Sequence, residues 1–130
     1  MARPVLADSC YYINLLRAGR DPLPVLTEVA LTRELAVCGI VRCEVGRGIR
    51  EAFYRQRFDN FWNLMVNVAT DDRLWEDAQQ TAWELDRKGV VLPLTDIVIA
   101  CCAKRIGAVV LTFDKHFEQI PGLKTTSELI

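Results

Sequence analysis

The sequence predicts an α/β fold, a three-layer α/β/α sandwich around a central parallel sheet of four to five strands. Two observations predict it. Short apolar runs at Val5-Leu6-Ala7, Ala36-Val37-Cys38 and Ala108 to Thr112 read as buried strands. Segments with helical spacing separate them, and strands joined by helices of ten or more residues pair in parallel through crossovers. At 130 residues, half of them hydrophobic, the chain fits a single domain over 1–130 with one continuous core.

Each element follows from local chemistry. Val5-Leu6-Ala7 opens the domain as a strand and ends at Asp8, and Ser9 to Arg17 follows as a short helix stopped by Gly19 and Pro22. Leu23 to Leu35 carries Val25, Leu26, Val29 and Ala30 at helical spacing. Ala36-Val37-Cys38 is a second strand closed by Gly39, and Ile40 to Val68 reads as helical, divided into two helices. Asp71-Asp72 places acids where the macrodipole of the next helix favours them. Its apolar stripe is Trp75, Ala78, Ala82 and Leu85, and Gly89 serves as its C-terminal stop. Val90-Val91-Leu92 reads as extended. Thr95 to Arg105 is the most apolar helix and should pack centrally, while Ala108 to Thr112 is the clearest strand. A short helix from Asp114, a turn at Pro121-Gly122 and a last strand near Leu123-Lys124-Thr125 complete the chain.

Composition excludes several classes. A net charge of -1 gives neither the basic field of a general nucleic-acid binder nor an acidic tail. The longest apolar run, Ile97 to Ala103, is too short to span a bilayer, and no signal-peptide pattern precedes Val5, so a cytoplasmic location is expected. Cys10, Cys38, Cys43, Cys101 and Cys102 are odd in number and lie mostly within apolar runs. They read as reduced, buried hydrophobes. A structural zinc site would need paired Cys or His spacing, which the single His116 does not provide.

The acids carry the chemistry. Asp8 and Asp114 each follow an apolar strand, and Asp96 opens the apolar helix. Any one of them alone is first explained as a helix cap, stabilising by about 0.5–2 kcal/mol. In a parallel sheet, however, the helix-starting ends of the strands share one edge, so Asp8 and Asp114 should face one crevice. Capping does not explain Glu44, which lies inside a predicted helix near Gly46 and Gly48. Each glycine is about 1 kcal/mol less favourable than alanine in a helix interior. Two of them suggest close backbone approach, with Glu44 turned inward. Converging carboxylates 4 Å apart repel by about 4 kcal/mol at an effective dielectric near 20, so a cluster needs protons or a cation. Oxygen donors select Mg²⁺ or Mn²⁺, and such ions support phosphoryl transfer.

Four blocks in order carry a resemblance. Val5-Leu6-Ala7-Asp8-Ser9, Glu44-Val45-Gly46-Arg47-Gly48, Asp96 to Ala103, and Leu111-Thr112-Phe113-Asp114-Lys115-His116-Phe117 resemble the PIN-domain nucleases. Within them the chain is most similar to the VapC-type toxins of toxin–antitoxin pairs, over essentially its whole length, including Ile120-Pro121-Gly122-Leu123. The resemblance implies a PIN-like fold and an Mg²⁺- or Mn²⁺-dependent endoribonuclease that hydrolyses RNA with metal-activated water. It implies a homodimer neutralised by an antitoxin that also binds DNA. Asp8, Glu44, Asp96 and Asp114 take the family's acidic quartet, catalytic and metal-binding, with Ser9 and Thr112 as supporting hydroxyls. His116 departs from the pattern, standing where many members carry a further acid.

A nucleic-acid substrate requires positive charge near this site. Arg42, Arg47 and Arg50 flank Glu44, with Arg55 and Arg57 beyond, and guanidinium suits phosphate forks. A solvated face with ion pairs to Glu51 and Asp59 is the plain alternative for each. Phe53, Tyr54, Phe58, Phe61 and Trp62 suit either core packing or a partner surface, and Tyr11 and Tyr12 follow the Asp8 position. Competing functions are a non-catalytic PIN-like binding module and a phosphoacceptor receiver domain. The receiver would show an acidic pair near the amino end, whereas Asp8 stands alone. A Ser/His/Asp hydrolase using Ser9 or Ser127 lacks the nucleophile elbow, and no phosphate-binding glycine loop is present.

Overall fold

The computed structural model describes residues 2–128. Among them the order is β1 (Val5–Ala7), α1 (Ser9–Arg17), α2 (Pro22–Ala30), β2 (Leu35–Cys38), α3 (Gly39–Gly46) and α4 (Ala52–Asn63). Then come β3 (Val66–Val68), α5 (Asp72–Arg87), α6 (Leu94–Arg105), β4 (Val109–Leu111), a 3₁₀ turn over Lys115–Gln119, and β5 (Lys124–Thr126). All five strands form one parallel sheet in the order β3-β2-β1-β4-β5. Successive side chains on a strand point to opposite faces, yet every residue of β1 and β2 is buried. Both faces of the central strands are therefore covered, as the α/β/α expectation requires.

The helices begin and end for identifiable reasons. Asp8, Asp21 and Asp71 cap α1, α2 and α5 by accepting the backbone N–H of Tyr11, Leu23 and Leu74. Pro22 occupies the first turn of α2, where its missing N–H is not needed. After α5 the chain reverses through Gly89 at φ +80°, a conformation that strains residues bearing a Cβ. Helix α6 is apolar all round: the seven residues Ile97 to Ala103 are all buried, so it fills the space beneath its neighbours. Among the described residues, no helix is long and apolar enough to cross a membrane.

Several expectations are corrected. Val66–Val68, read as helical, is the edge strand β3, paired with Ala36–Cys38. The helix expected through Leu35 stops at Ala30, and Leu35 already belongs to β2. The core stripe of α5 runs through Leu74, Ala78 and Leu85, whereas Trp75 is 44 % exposed. Gly46 closes α3 and Gly48 lies beyond it. A Cβ at Gly46 would meet nothing within 4 Å, and one at Gly48 would make only an ordinary contact at 3.5 Å, so no close approach explains them. Of the cysteines, Cys43 is exposed and Cys10 half-buried, while Cys38, Cys101 and Cys102 are buried.

Candidate metal centre

The chain leaves β1 towards β2 on one side and later returns to β4 on the other. The order reverses at that point, and the carboxyl ends of β1 and β4 bound a crevice of the kind in which open α/β sheets bind ligands. Asp8 directly follows β1. Its Oδ1 accepts the Tyr11 N–H at 3.0 Å and its Oδ2 accepts the Thr112 hydroxyl at 2.9 Å. Thr112, just past β4, accepts the Asp114 N–H through the same hydroxyl at 2.9 Å. One side chain thus ties the two strand ends together, and Cys10 Sγ packs against it at 3.6 Å.

The remaining acids arrive from the helices. Asp96 lies in the first turn of α6, and Asp114 caps the 3₁₀ turn by accepting the His116 N–H at 2.9 Å. Glu44 projects from α3 and accepts a hydrogen bond from Ser9 Oγ at 2.6 Å. Its carboxylate is thereby held towards the start of α1, as the inward orientation expected from the sequence requires. The glycines expected to cause that orientation do not cause it. Ser9, itself buried, does.

The four acids are neighbours, but they do not form one tight cluster. Among the described residues, Asp96, Asp114 and His116 bring ligand atoms within 4.8 Å of one another. Glu44 is near enough for its charge to act on Asp96, and Asp96 in turn acts on Asp8. Asp8 is only 2 % exposed, and burial pushes its carboxyl up to about 6, against the pull of its three donors. Asp96 is also raised, first by burial and then by the charge of Asp114, with His116 acting in the opposite direction. Among the described residues no Lys or Arg pairs with any of the four acids. A set of hard oxygen donors without a compensating guanidinium or ammonium fits a divalent cation, and Mg²⁺ and Mn²⁺ match these donors. His116 is the member that sequence spacing left isolated. Its position two residues after a capping aspartate was the available signal, because a tight first turn carries residue i+2 back to the cap.

The residues matched by the PIN domain family run from 5 to 123. This chain belongs to the PIN domain family. Comparison with curated proteins returns no match. Among solved structures, this PIN domain is similar to the VapBC2 complex of Rickettsia felis bound to a promoter DNA fragment, at 20 % identity and TM-score 0.76, covering 94 % of this chain and 96 % of that one. It is equally similar to DNA-bound VapBC from Salmonella typhimurium, at 22 % identity and TM-score 0.76, with 96 % and 98 % covered. Mycobacterium tuberculosis VapC20, described as a sarcin-ricin loop cleaving toxin, aligns at 16 % identity and TM-score 0.61 over 88 % and 92 %.

The arginines of this PIN domain divide by role. Arg42 donates to Asn63 and Asn67 at 3.1 Å each, pairs with Asp59 at 3.4 Å and lies 5.5 Å from the Trp62 ring centre. It clamps α3 to α4 and β3. Arg47 and Arg50 are exposed, and Arg57 pairs with Asp21. Tyr12, Phe58 and Trp62 form a buried aromatic group, and Tyr11 stacks on Phe113 at 4.9 Å between ring centres. Phe53 and Tyr54 stay exposed beside a groove of about 430 Å³ lined by Leu16, Ile49, Phe58, Arg20, Arg50 and Arg57.

Proposed function

We propose that this PIN domain is a metal-dependent endoribonuclease, the toxin of a toxin–antitoxin pair, acting as one domain over residues 1–130. The observation that carries this reading is the gathering of Asp8, Asp96, Asp114 and Glu44 at the strand-order reversal with, among the described residues, no Lys or Arg paired to any of them. The structural likeness to VapBC complexes and to VapC20 supports an antitoxin partner and an RNA substrate.

Asp96 and Asp114 would hold the ion, with Asp8 and Glu44 completing its surroundings directly or through water. Mg²⁺ or Mn²⁺ held there supplies a lowered water pKa and stabilises charge on the phosphate. Thr112 holds the Asp8 carboxylate and the Asp114 backbone N–H through one hydroxyl, and Ser9 aims Glu44. Asp8 Oδ1 and Oδ2 are already committed to Tyr11 and Thr112, so its carboxylate is pre-positioned rather than free to rotate. In-line displacement at the phosphodiester leaves a 5′-phosphate and a 3′-hydroxyl. Exposed Arg47 and Arg50 are the phosphate contacts this reading favours, whereas Arg42 contributes by fixing α3. Exposed Phe53 and Tyr54 and the neighbouring groove suit an antitoxin segment or the second subunit of a homodimer. The expected compartment is the cytoplasm.

Purified protein and Asp8→Asn, incubated with single-stranded and structured RNA in Mg²⁺, Mn²⁺ or EDTA, test this reading. Metal-dependent cutting with 5′-phosphate ends, lost in the variant, is expected. Cutting that persists in EDTA or in Asp8→Asn would refute it.

A further inference from the structure

We propose that His116 Nδ1 is a direct ligand of the ion held by Asp96 and Asp114, and that it turns this site from Mg²⁺ towards a first-row transition ion such as Mn²⁺. This inference rests on the metal-dependent reading above and adds to it the identity of a nitrogen donor and the class of ion.

The argument is geometric. Nδ1 stands 3.3 Å from Asp114 Oδ1 and 3.5 Å from Asp96 Oδ2. Charge-assisted hydrogen bonds to carboxylate measure about 2.7–2.9 Å, so Nδ1 is close to both acids and tightly bonded to neither. Donors on adjacent vertices of an octahedral ion with bonds of about 2.1 Å stand about 3 Å apart. Those two separations are close to the spacing of neighbouring donors around one cation, and Asp96, Asp114 and His116 each offer a ligand atom within 4.8 Å of the other two. Backbone geometry holds the imidazole there, because Asp114 accepts the His116 N–H and fixes the turn that carries the ring. The side chain is half exposed, so its position at the mouth of the crevice is not forced by core packing.

The chemistry then sets the ion. Mg²⁺ favours all-oxygen surroundings and retains its waters, whereas imidazole raises affinity along the first-row series. A carboxylate at this position would complete an all-oxygen set. Histidine removes one negative charge from a repelling group and adds a nitrogen donor in the same place. Both changes lower the penalty of assembling the acids, and the second discriminates between ions.

The test uses the full chain, with Mn²⁺ and Mg²⁺ as the probes, and does not depend on catalysis. Pulsed electron paramagnetic resonance of the Mn²⁺-loaded protein should show nitrogen hyperfine coupling from one imidazole, absent in His116→Ala. Titration calorimetry should show the Mn²⁺ to Mg²⁺ affinity ratio falling by about tenfold or more in His116→Ala and in His116→Asp. Mn²⁺ bound without nitrogen coupling in the unaltered chain, or a ratio unmoved by both variants, overturns this inference and leaves the metal-dependent nuclease standing. Failure of the unaltered chain to bind either ion overturns both. The nitrogen signal is read on the unaltered chain, so the test does not depend on how well a variant folds.

Discussion

Replacing Asp8 by asparagine should stabilise the metal-free protein, although it removes a residue of the proposed site. Asp8 is 2 % exposed and its carboxyl is raised from the ordinary 3.8 to about 6 by burial. Between those values the folded chain binds a proton that the unfolded chain does not, so stability falls as pH rises through this window and stays lower above it. The difference, at about 1.36 kcal/mol per pH unit, places a penalty of ~3 kcal/mol on the folded state near neutrality. Asparagine is never charged. Its Oδ1 can still accept the Tyr11 N–H, and its amide can donate to the Thr112 hydroxyl in place of the bond now running the other way. Subtracting roughly 1 kcal/mol for the weaker neutral bonds leaves a net gain of about 2 kcal/mol. For a domain of this length that gain raises Tm by about 5–8 °C. Urea unfolding in EDTA, followed by tryptophan fluorescence, should show the gain at about pH 7.5 and its disappearance at about pH 4. An Asp8→Asn protein no more stable than the parent at the higher pH, or equally favoured at both, would refute the burial argument.

Two further substitutions probe the same framework. Thr112→Val, close to isosteric, removes the donor to Asp8 Oδ2 and the acceptor of the Asp114 N–H, and should destabilise by about 2–4 kcal/mol; a urea midpoint within error of the parent contradicts this. Tyr12→Phe strands the buried Trp62 Nε1–H, which donates to Tyr12 Oη at 3.2 Å, and should lower stability by about 1–3 kcal/mol while leaving RNA cleavage intact; lost cleavage in a folded Tyr12→Phe protein would instead place Tyr12 in the site.

The central sheet was legible because β1, β2 and β4 are apolar on both faces and therefore appear as unbroken runs. Helix α6 was legible for the same reason, since a helix buried all round needs no periodicity. Strand β3 was not. It is three residues long, has Asn67 at its centre, exposes Val66, and exists because β2 offers it a parallel edge. Such a strand is specified by tertiary pairing rather than by local pattern. Helix α5 was found with its face correct at Ala78, Ala82 and Leu85, but its first turn buries Leu74 and leaves the larger Trp75 on the solvent side. Within the site, Asp8 and Asp114 were placed by topology alone. His116 was not, because what it approaches belongs partly to α6, a separate segment of the sequence.

Capping and site-building use the same residue types at the same positions, and the contrast between Asp8 and Asp71 separates them. Each caps a helix, and each accepts the N–H three residues on at 3.0 Å. Asp71 is exposed and pairs with Arg105 at 2.8 Å, and that hydrogen bond holds its carboxyl below the usual range. Asp8 makes the same cap bond in a buried place where it feels the charge of Asp96 and, among the described residues, pairs with no guanidinium, and its carboxyl is held above that range. Folding alone favours the Asp71 arrangement, because a cap needs an oxygen and gains nothing from desolvation of its charge. The Asp8 arrangement costs folding free energy, and the cation proposed for this crevice would offset that cost when bound. On that reading, the destabilisation carried by the buried acid would oppose folding and favour binding of the ion.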